Sequence, residues 1–504
     1  MAYSSSTSVN DIYLQDFSQR QSSSSVLDRS SSRNGHLTPS HTGQGVYSQT
    51  TAAMSPQSAT SEAPLNGSME RKEFSKETKN RSIPNDIAHR FVAAIAAAFF
   101  LCVVMTCALF SYIVRSRTPA RLPEVQRQRN QTTTKNDKRL TMDLSYYANL
   151  LGFVLDEYEV TTSDGFILDL KRLHKQGQEP TGEPILMVHG LLQSSAAYLT
   201  SGKDSIAAYF LEQGYDVWLG DNRCGFQPKH TKYKKSDSRM WHWDITEMGT
   251  EDLPALVNYV LKVTGREELI YFGHSQGTTQ AFLGMSRDFY PALGHKIKLF
   301  VALAPAVYAG PLIDRWYFQY CRNMSLERWK WSFGIHSYIP LMNTMHSIFP
   351  KRLYGFFGYI MFNYMFDWTD EWWDRNLRNR QFLYSPTFVS SQLMQWWLGP
   401  NHFSKYRGIL PDKAGVKWYD QNFPKLVLVI PTNDMLVDAE KIYERITQVE
   451  TDVTLVDTIR VVDYSHLDVL WAMDVVDKVC KPVHEIIKHQ EREKSELPEI
   501  RLTT

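Results

Sequence analysis

The stretch from Leu269 to Gly277, LIYFGHSQG, limits the possible folds of this chain more than any other. Leu269 to Phe272 are apolar or β-forming and read as a short buried strand that runs straight into Gly273-His274-Ser275-Gln276-Gly277. G-x-S-x-G at a strand end predicts a tight strand-to-helix turn, with Gly273 and Gly277 placed where backbone approaches too closely for a Cβ. Such a turn lifts Ser275 out at the top of a sheet. Thr278 to Met285 can form the following helix, whose N-terminal dipole faces the serine. Glycine-rich turns without chemistry share this pattern, so the rest of the chain must supply partners for a nucleophile.

The surroundings have the rhythm of an α/β protein. Tyr158 to Thr162 and Phe166 to Leu170 flank Ser163-Asp164-Gly165, a hairpin signal. Ile185 to His189, Tyr215 to Leu219, Leu299 to Leu303, Leu426 to Ile430 and Ile459 to Val462 are continuous apolar runs, as expected of strands buried on both faces of a mostly parallel sheet. Helix candidates lie between them, such as Leu253 to Val263 after Asp252. Residues 305–400 depart from the rhythm with eight tryptophans, Trp316, Trp329, Trp331, Trp368, Trp372, Trp373, Trp396 and Trp397. These aromatics suit the core of a helical subdomain, and equally a cap that encloses a large apolar ligand. Leu353 to Phe366 is apolar nearly all round but too short for a membrane crossing.

Ester hydrolysis by a serine needs a base, an acid that orients the base, and donors for the oxyanion. On a sheet of this kind they follow the order Ser, Asp or Glu, His, each at a strand end. Asp434 is the first acid past the strand Leu426 to Ile430, and His466 follows the strand Ile459 to Val462. Asp438 and Asp468 are the rival acids. His189 and Gly190 follow an early strand, so the backbone N–H groups of Leu191 and Gln276 are the expected oxyanion pair.

HGLLQSS, GYDVWLGDNR at 214–223, the stretch ending EDLP, GHSQG, SPTFVSSQLMQW at 385–396, NDMLVD at 433–438 and SHLDVLW at 465–471 together resemble the acid lipase family, the gastric and lysosomal type. The resemblance spans roughly residues 140–485, and with the N-terminal apolar span it is nearest to the fungal, membrane-anchored steryl ester hydrolase branch. It implies an α/β-hydrolase fold with a helical cap, and it puts Ser275, Asp434 and His466 in the triad positions. Pro431-Thr432 departs from the pattern, where relatives often carry two glycines.

Residues 1–82 are rich in Ser, Thr, Gln, Asn and Gly and are expected to be disordered, because they cannot bury enough apolar surface to offset the entropy of ordering. Phe91 to Val114 then runs for 24 residues without a charge. As a helix it is about 36 Å long at ~1.5 Å per residue, enough for a hydrocarbon core of about 30 Å. A single-pass anchor is expected, at the endoplasmic reticulum, a lipid droplet or the plasma membrane. Basic residues flank it on both sides and leave its orientation open. The expected order is a tail (1–82), an anchor helix (91–114), a basic linker (115–139), hydrolase core (140–304 and 401–485) around a cap (305–400), and a charged C-terminal tail (486–504).

The formal net charge of +1 gives no electrostatic case for nucleic acid. Cys102 and Cys107 lie in the apolar run, while Cys224, Cys321 and Cys480 are widely spaced, so there is neither a disulfide framework nor a metal-ligand spacing. No cofactor or metal is expected. The expected activity is hydrolysis of steryl esters by a membrane-anchored serine esterase at a membrane or lipid-droplet surface. Triacylglycerols, or transacylation through the same triad, remain open. A non-catalytic scaffold is disfavoured because all three triad positions are filled.

Overall fold

A computed structural model describes residues 83–116 and 139–496. The serine-rich segment 1–82, linker residues 117–138 and the last eight residues lie outside the described residues.

The hairpin pairs β1 (Phe153–Thr161) with β2 (Phe166–Lys175), antiparallel from Phe153 opposite Lys175 to Thr161 opposite Ile167. Then come β3 (Pro184–Val188), β4 (Asp216–Gly220), β5 (Lys229–His230), β6 (Leu269–His274), β7 (Ile297–Leu303), β8 (Lys425–Pro431) and β9 (Leu455–Val461). They form one sheet in the order β1-β2-β4-β3-β6-β7-β8-β9, with the short β5 also paired to β2. Every pair from β4 across to β9 is parallel. β3, β4 and β6 are buried along their whole length. Their apolar character follows, since crossover connections put helices on both faces of a parallel sheet. Parallel pairing also gathers the C-terminal ends of β3, β6, β8 and β9 along one edge, so residues far apart in sequence meet there.

The helices used below are α1 (Ile83–Ser116), α2 (Leu253–Thr264), α3 (Gln276–Gly284), α4 (Trp316–Arg322), α5 (Leu326–Phe333), α6 (Pro340–Ile348), α7 (Lys351–Phe366), α8 (Ser391–Leu398), α9 (Ala439–Gln448) and α10 (Lys481–Glu496). Helices α4 to α8 form an insertion between β7 and β8. α10 extends beyond residue 485 and buries Ile487.

α1 starts at Ile83, ahead of the uncharged run, and Ala88–Arg115 is long and apolar enough to cross a membrane. It does not stand apart from the rest of the chain. Ala93, Ala97, Leu101, Val104 and Ala108 recur at helical spacing and are buried against α5 and α7. Phe91, Ile95, Phe99, Phe110 and Ile113 point outward and are exposed, Phe99 by 72%. Small residues on the inner face allow close helix approach, and the large ones face outward. Tyr112 packs edge-on against Phe356 and Tyr359 of α7, and Arg115 pairs with Asp367 at 2.7 Å.

The GDNR and EDLP motifs serve the scaffold. The Arg223 side chain is fully buried, donates to both carboxylate oxygens of Asp252 (2.8–3.1 Å), and reaches Asp164 in the hairpin turn at 2.9 Å. One ion-pair cluster thus ties the β1–β2 turn, the loop after β4 and the start of α2. Asp252→Asn leaves a buried guanidinium partly uncompensated. We expect a loss of about 3 kcal/mol in unfolding free energy, read from unfolding of the solubilised protein. A change within about 0.5 kcal/mol, the range of a surface substitution, would refute this role.

Candidate active site

The turn after β6 has the expected shape. Ser275 adopts φ 52°, ψ −117°, a left-handed conformation that non-glycine residues rarely hold and that marks strained functional turns. A Cβ on Gly277 would lie 2.4 Å from the Val188 carbonyl oxygen, and one on Gly273 2.9 Å from the Gly277 backbone. Both positions therefore require glycine for the turn to close between β3 and α3. Ser275 stands at the top of the sheet, yet only 8% of it is exposed, because the insertion covers it.

The sheet edge brings the three candidate groups into one hydrogen-bonded chain. His466 Nε2 lies 2.8 Å from Ser275 Oγ, and His466 Nδ1 lies 2.6 Å from Asp434 Oδ2. The other Asp434 oxygen accepts from the N–H groups of Leu436 (2.9 Å) and Val437 (3.3 Å), so the carboxylate has a fixed orientation. The rival acids are committed elsewhere. Asp438 caps α9 by accepting from Lys441 N–H at 3.0 Å. Asp468 accepts from Ser465 N–H, Ser465 Oγ and Trp373 Nε1; burial pushes its carboxyl up to about 7, against the opposing pull of those hydrogen bonds.

The Pro431-Thr432 departure has a use in this fold. Thr432 Oγ1 accepts from Asp463 N–H at 3.0 Å, Thr432 N–H donates to the Val461 carbonyl, and Asn433 N–H donates to the Tyr464 carbonyl. The loops bearing Asp434 and His466 are stitched together by these bonds.

Leu191 follows β3, and Gln276 opens α3 next to the serine. Among the described residues, neither backbone N–H donates a hydrogen bond within the chain. A Cβ on Gly190 would come within 3.0 Å of Ser275 Cβ, so glycine is what lets this loop approach the serine. Thr387 clamps the loop from the insertion: its N–H donates to the Leu192 carbonyl (3.0 Å) and its hydroxyl to the Gln193 carbonyl (3.1 Å).

Three contributors were not anticipated from the sequence. His274 Nε2 faces the His466 carbonyl at 3.2 Å, and its Nδ1 meets the Gln193 side-chain amide at 3.2 Å. Burial, and then the adjacent His466, hold His274 well below the usual histidine range, which favours its neutral form. Trp368 stacks on the His466 ring at 5.7 Å and 9°. The third is α1: a cavity of about 110 Å³ over Ser275 and His466 is walled by Phe100, Leu101 and Val104 of α1 as well as by Met361, Phe362, Met365 and Phe366 of α7. Its lining is almost wholly apolar. The sequence places the apolar run outside the hydrolase, because its composition reveals which residues are apolar and not what its inner face meets.

A serine held at a strained strand-to-helix turn, hydrogen-bonded to a histidine whose other nitrogen meets a buried carboxylate, can carry out acyl transfer. A family model described as the partial alpha/beta-hydrolase lipase region matches residues 144–202, and one described as the alpha/beta hydrolase fold matches residues 183–324. Sterol esterase 2 of Saccharomyces cerevisiae is 42% identical over 398 residues, covering 70% of this chain and 73% of that protein. Human gastric triacylglycerol lipase is 28% identical over 388 residues, covering 70% and 92%. Human lysosomal acid lipase/cholesteryl ester hydrolase is 28% identical over 375 residues, covering 68% and 89%. Fold and relatives together define a carboxylic ester hydrolase of the α/β-hydrolase fold. The chain belongs to the acid lipase family.

Proposed function

We propose that the chain hydrolyses steryl esters to sterol and fatty acid, with Ser275 as nucleophile, His466 as base and acid, and Asp434 as the group that orients His466. Ser275 Oγ attacks the ester carbonyl carbon while His466 Nε2 takes its proton. The negative charge that forms on the carbonyl oxygen falls to the N–H groups of Leu191 and Gln276. The tetrahedral intermediate collapses, the sterol oxygen leaves with the proton from His466, and an acyl ester remains on Ser275. Water then attacks that ester, giving its proton to His466, and fatty acid departs as Ser275 is re-protonated.

The observation that carries the substrate class is the apolar cavity directly over the Ser275–His466 pair. A steryl ester is almost entirely apolar apart from the ester itself, so binding must draw on surface removed from water, about 25 cal/mol per Å². Residues 305–400 act as the cap that supplies most of that surface, and the 42% identity to a sterol esterase favours sterol over glycerol esters. α1 holds the enzyme at a membrane or lipid-droplet surface through its outward apolar face.

The test is hydrolysis of matched cholesteryl, ergosteryl and triacylglycerol esters by the detergent-solubilised full chain. Steryl esters are expected to be turned over at least tenfold more efficiently. Preference for triacylglycerols, the substrate named for the human gastric relative, would overturn the sterol assignment and leave the ester hydrolase reading in place.

A further inference from the structure

A second cavity, of about 260 Å³, lies beside the catalytic one, between α1 and helices α6 and α7. Its lining is also almost wholly apolar, and it includes Cys102, Met105 and Thr106 of α1, from the turn next to the residues that wall the first cavity. Three side chains, Leu101, Met342 and Met361, border both cavities and form the neck between them. Two of the three are methionines, unbranched side chains that change shape easily and re-pack around irregular apolar ligands. The cavities are thus adjacent spaces that share Leu101 and two adaptable methionines as lining.

Size makes the second space relevant to catalysis. Pockets for small-molecule ligands run to roughly 300–1,000 Å³, and neither cavity reaches that range alone. An ester with two long apolar arms cannot fit within about 110 Å³ over Ser275, so one arm has to extend beyond that cavity, and the second space is the adjoining apolar one. Access follows the same line. Cys102 and Thr106 are exposed, Leu341 on the rim is 37% exposed, and the neighbouring outward residues Phe99 and Ile348 are 72% and 70% exposed. The rim therefore opens beside exposed apolar side chains, where an aqueous substrate has nothing to gain and a lipid does.

We propose that α1 is part of the substrate site as well as an anchor: the cavity between α1, α6 and α7 receives one apolar arm of the lipid ester and is its lateral entrance from the membrane, with Leu101, Met342 and Met361 as the gate. The inference rests on Ser275 being the nucleophile. It makes Leu101 to Thr106 specificity-determining positions within the segment that gives membrane attachment.

A long-chain alkyl fluorophosphonate with a diazirine at the far end of the chain tests this on the solubilised full chain. Ser275 Oγ displaces fluoride from phosphorus, and irradiation then marks whatever lies at the end of the alkyl arm. Cross-links to the α1 peptide around residues 101–106, or to residues 341–349 across from it, are expected. Attachment at Ser275 with cross-links confined to other segments would overturn the inference and leave the catalytic reading standing. No attachment at Ser275 would instead overturn the catalytic reading. As a kinetic companion, Met105→Trp fills the second cavity and should lower the ratio of long-chain to short-chain ester hydrolysis at least tenfold. Phe99→Ala, on the outward face of α1, should leave that ratio unchanged. A Met105→Trp protein with normal short-ester turnover and an unchanged ratio would also overturn the inference.

Discussion

Ser275→Ala is expected to lower turnover by about a million-fold, the loss seen when a triad serine is removed. The protein should still fold. The substitution deletes one oxygen, whose hydrogen bond in this fold goes to His466 Nε2 at 2.8 Å, and it keeps the strain that φ 52° already imposes on a Cβ-bearing residue. Nothing in the sheet depends on the hydroxyl, because the turn is fixed by Gly273, Gly277 and the Ser275 N–H bond to the Leu303 carbonyl at 3.1 Å. Two measurements on the same preparation decide the matter: ester turnover, and covalent labelling by a fluorophosphonate, with circular dichroism as the check on folding. Labelling that persists at full stoichiometry in the folded variant would place the nucleophile at another residue.

The parts legible in the sequence were those in which local chemistry and tertiary role coincide. Strands such as Ile185 to His189 and Leu426 to Ile430 are apolar without interruption because both their faces are covered, and that survives as a one-dimensional signal. Ser275, Asp434 and His466 could be proposed because each follows the end of a strand, so sequence order stood in for a spatial edge. The expectation of cover on both faces fails for the run ahead of His466, since β9 is the last strand of the sheet and is only partly buried, with Arg460 and Val462 exposed. The cover over the site was a different matter. Eight tryptophans announced an apolar body, but Trp368, which stacks on His466, is placed just after Asp367 ends α7 in a left-handed conformation at φ 56°. Tryptophan spacing carries no trace of that turn. α1 is the clearest case. A run of 24 uncharged residues reads alike whether lipid surrounds it or one face is packed against protein. The one trace is the alternation of Ala93, Ala97 and Ala108 with Phe91, Ile95, Phe99 and Phe110, which separates a small inner face from a bulky outer one.

Asp434→Asn should lower turnover by about four orders of magnitude, and the surrounding hydrogen bonds explain why so small a change is so damaging. Asp434 Oδ1 accepts from Leu436 N–H and Val437 N–H, so in the variant the amide oxygen has to stay there and the amide NH2 has to point at His466. An N–H donor facing Nδ1 at the present 2.6 Å separation forces that nitrogen to be the acceptor and puts the ring proton on Nε2. Nε2 then cannot take the proton of Ser275 Oγ, 2.8 Å away, and the base is lost although every atom of the histidine remains. The neutral tautomer would be wrong by local geometry, so a change in the external ester cannot rescue it. Asp438→Asn supplies the control, because asparagine caps a helix about as well as aspartate and the change touches neither ring nitrogen of His466. Turnover and fluorophosphonate labelling rates measured across pH should therefore collapse for Asp434→Asn and stay near the parent for Asp438→Asn. The reverse pattern, with a mild Asp434→Asn and a crippled Asp438→Asn, would move the orienting carboxylate to Asp438.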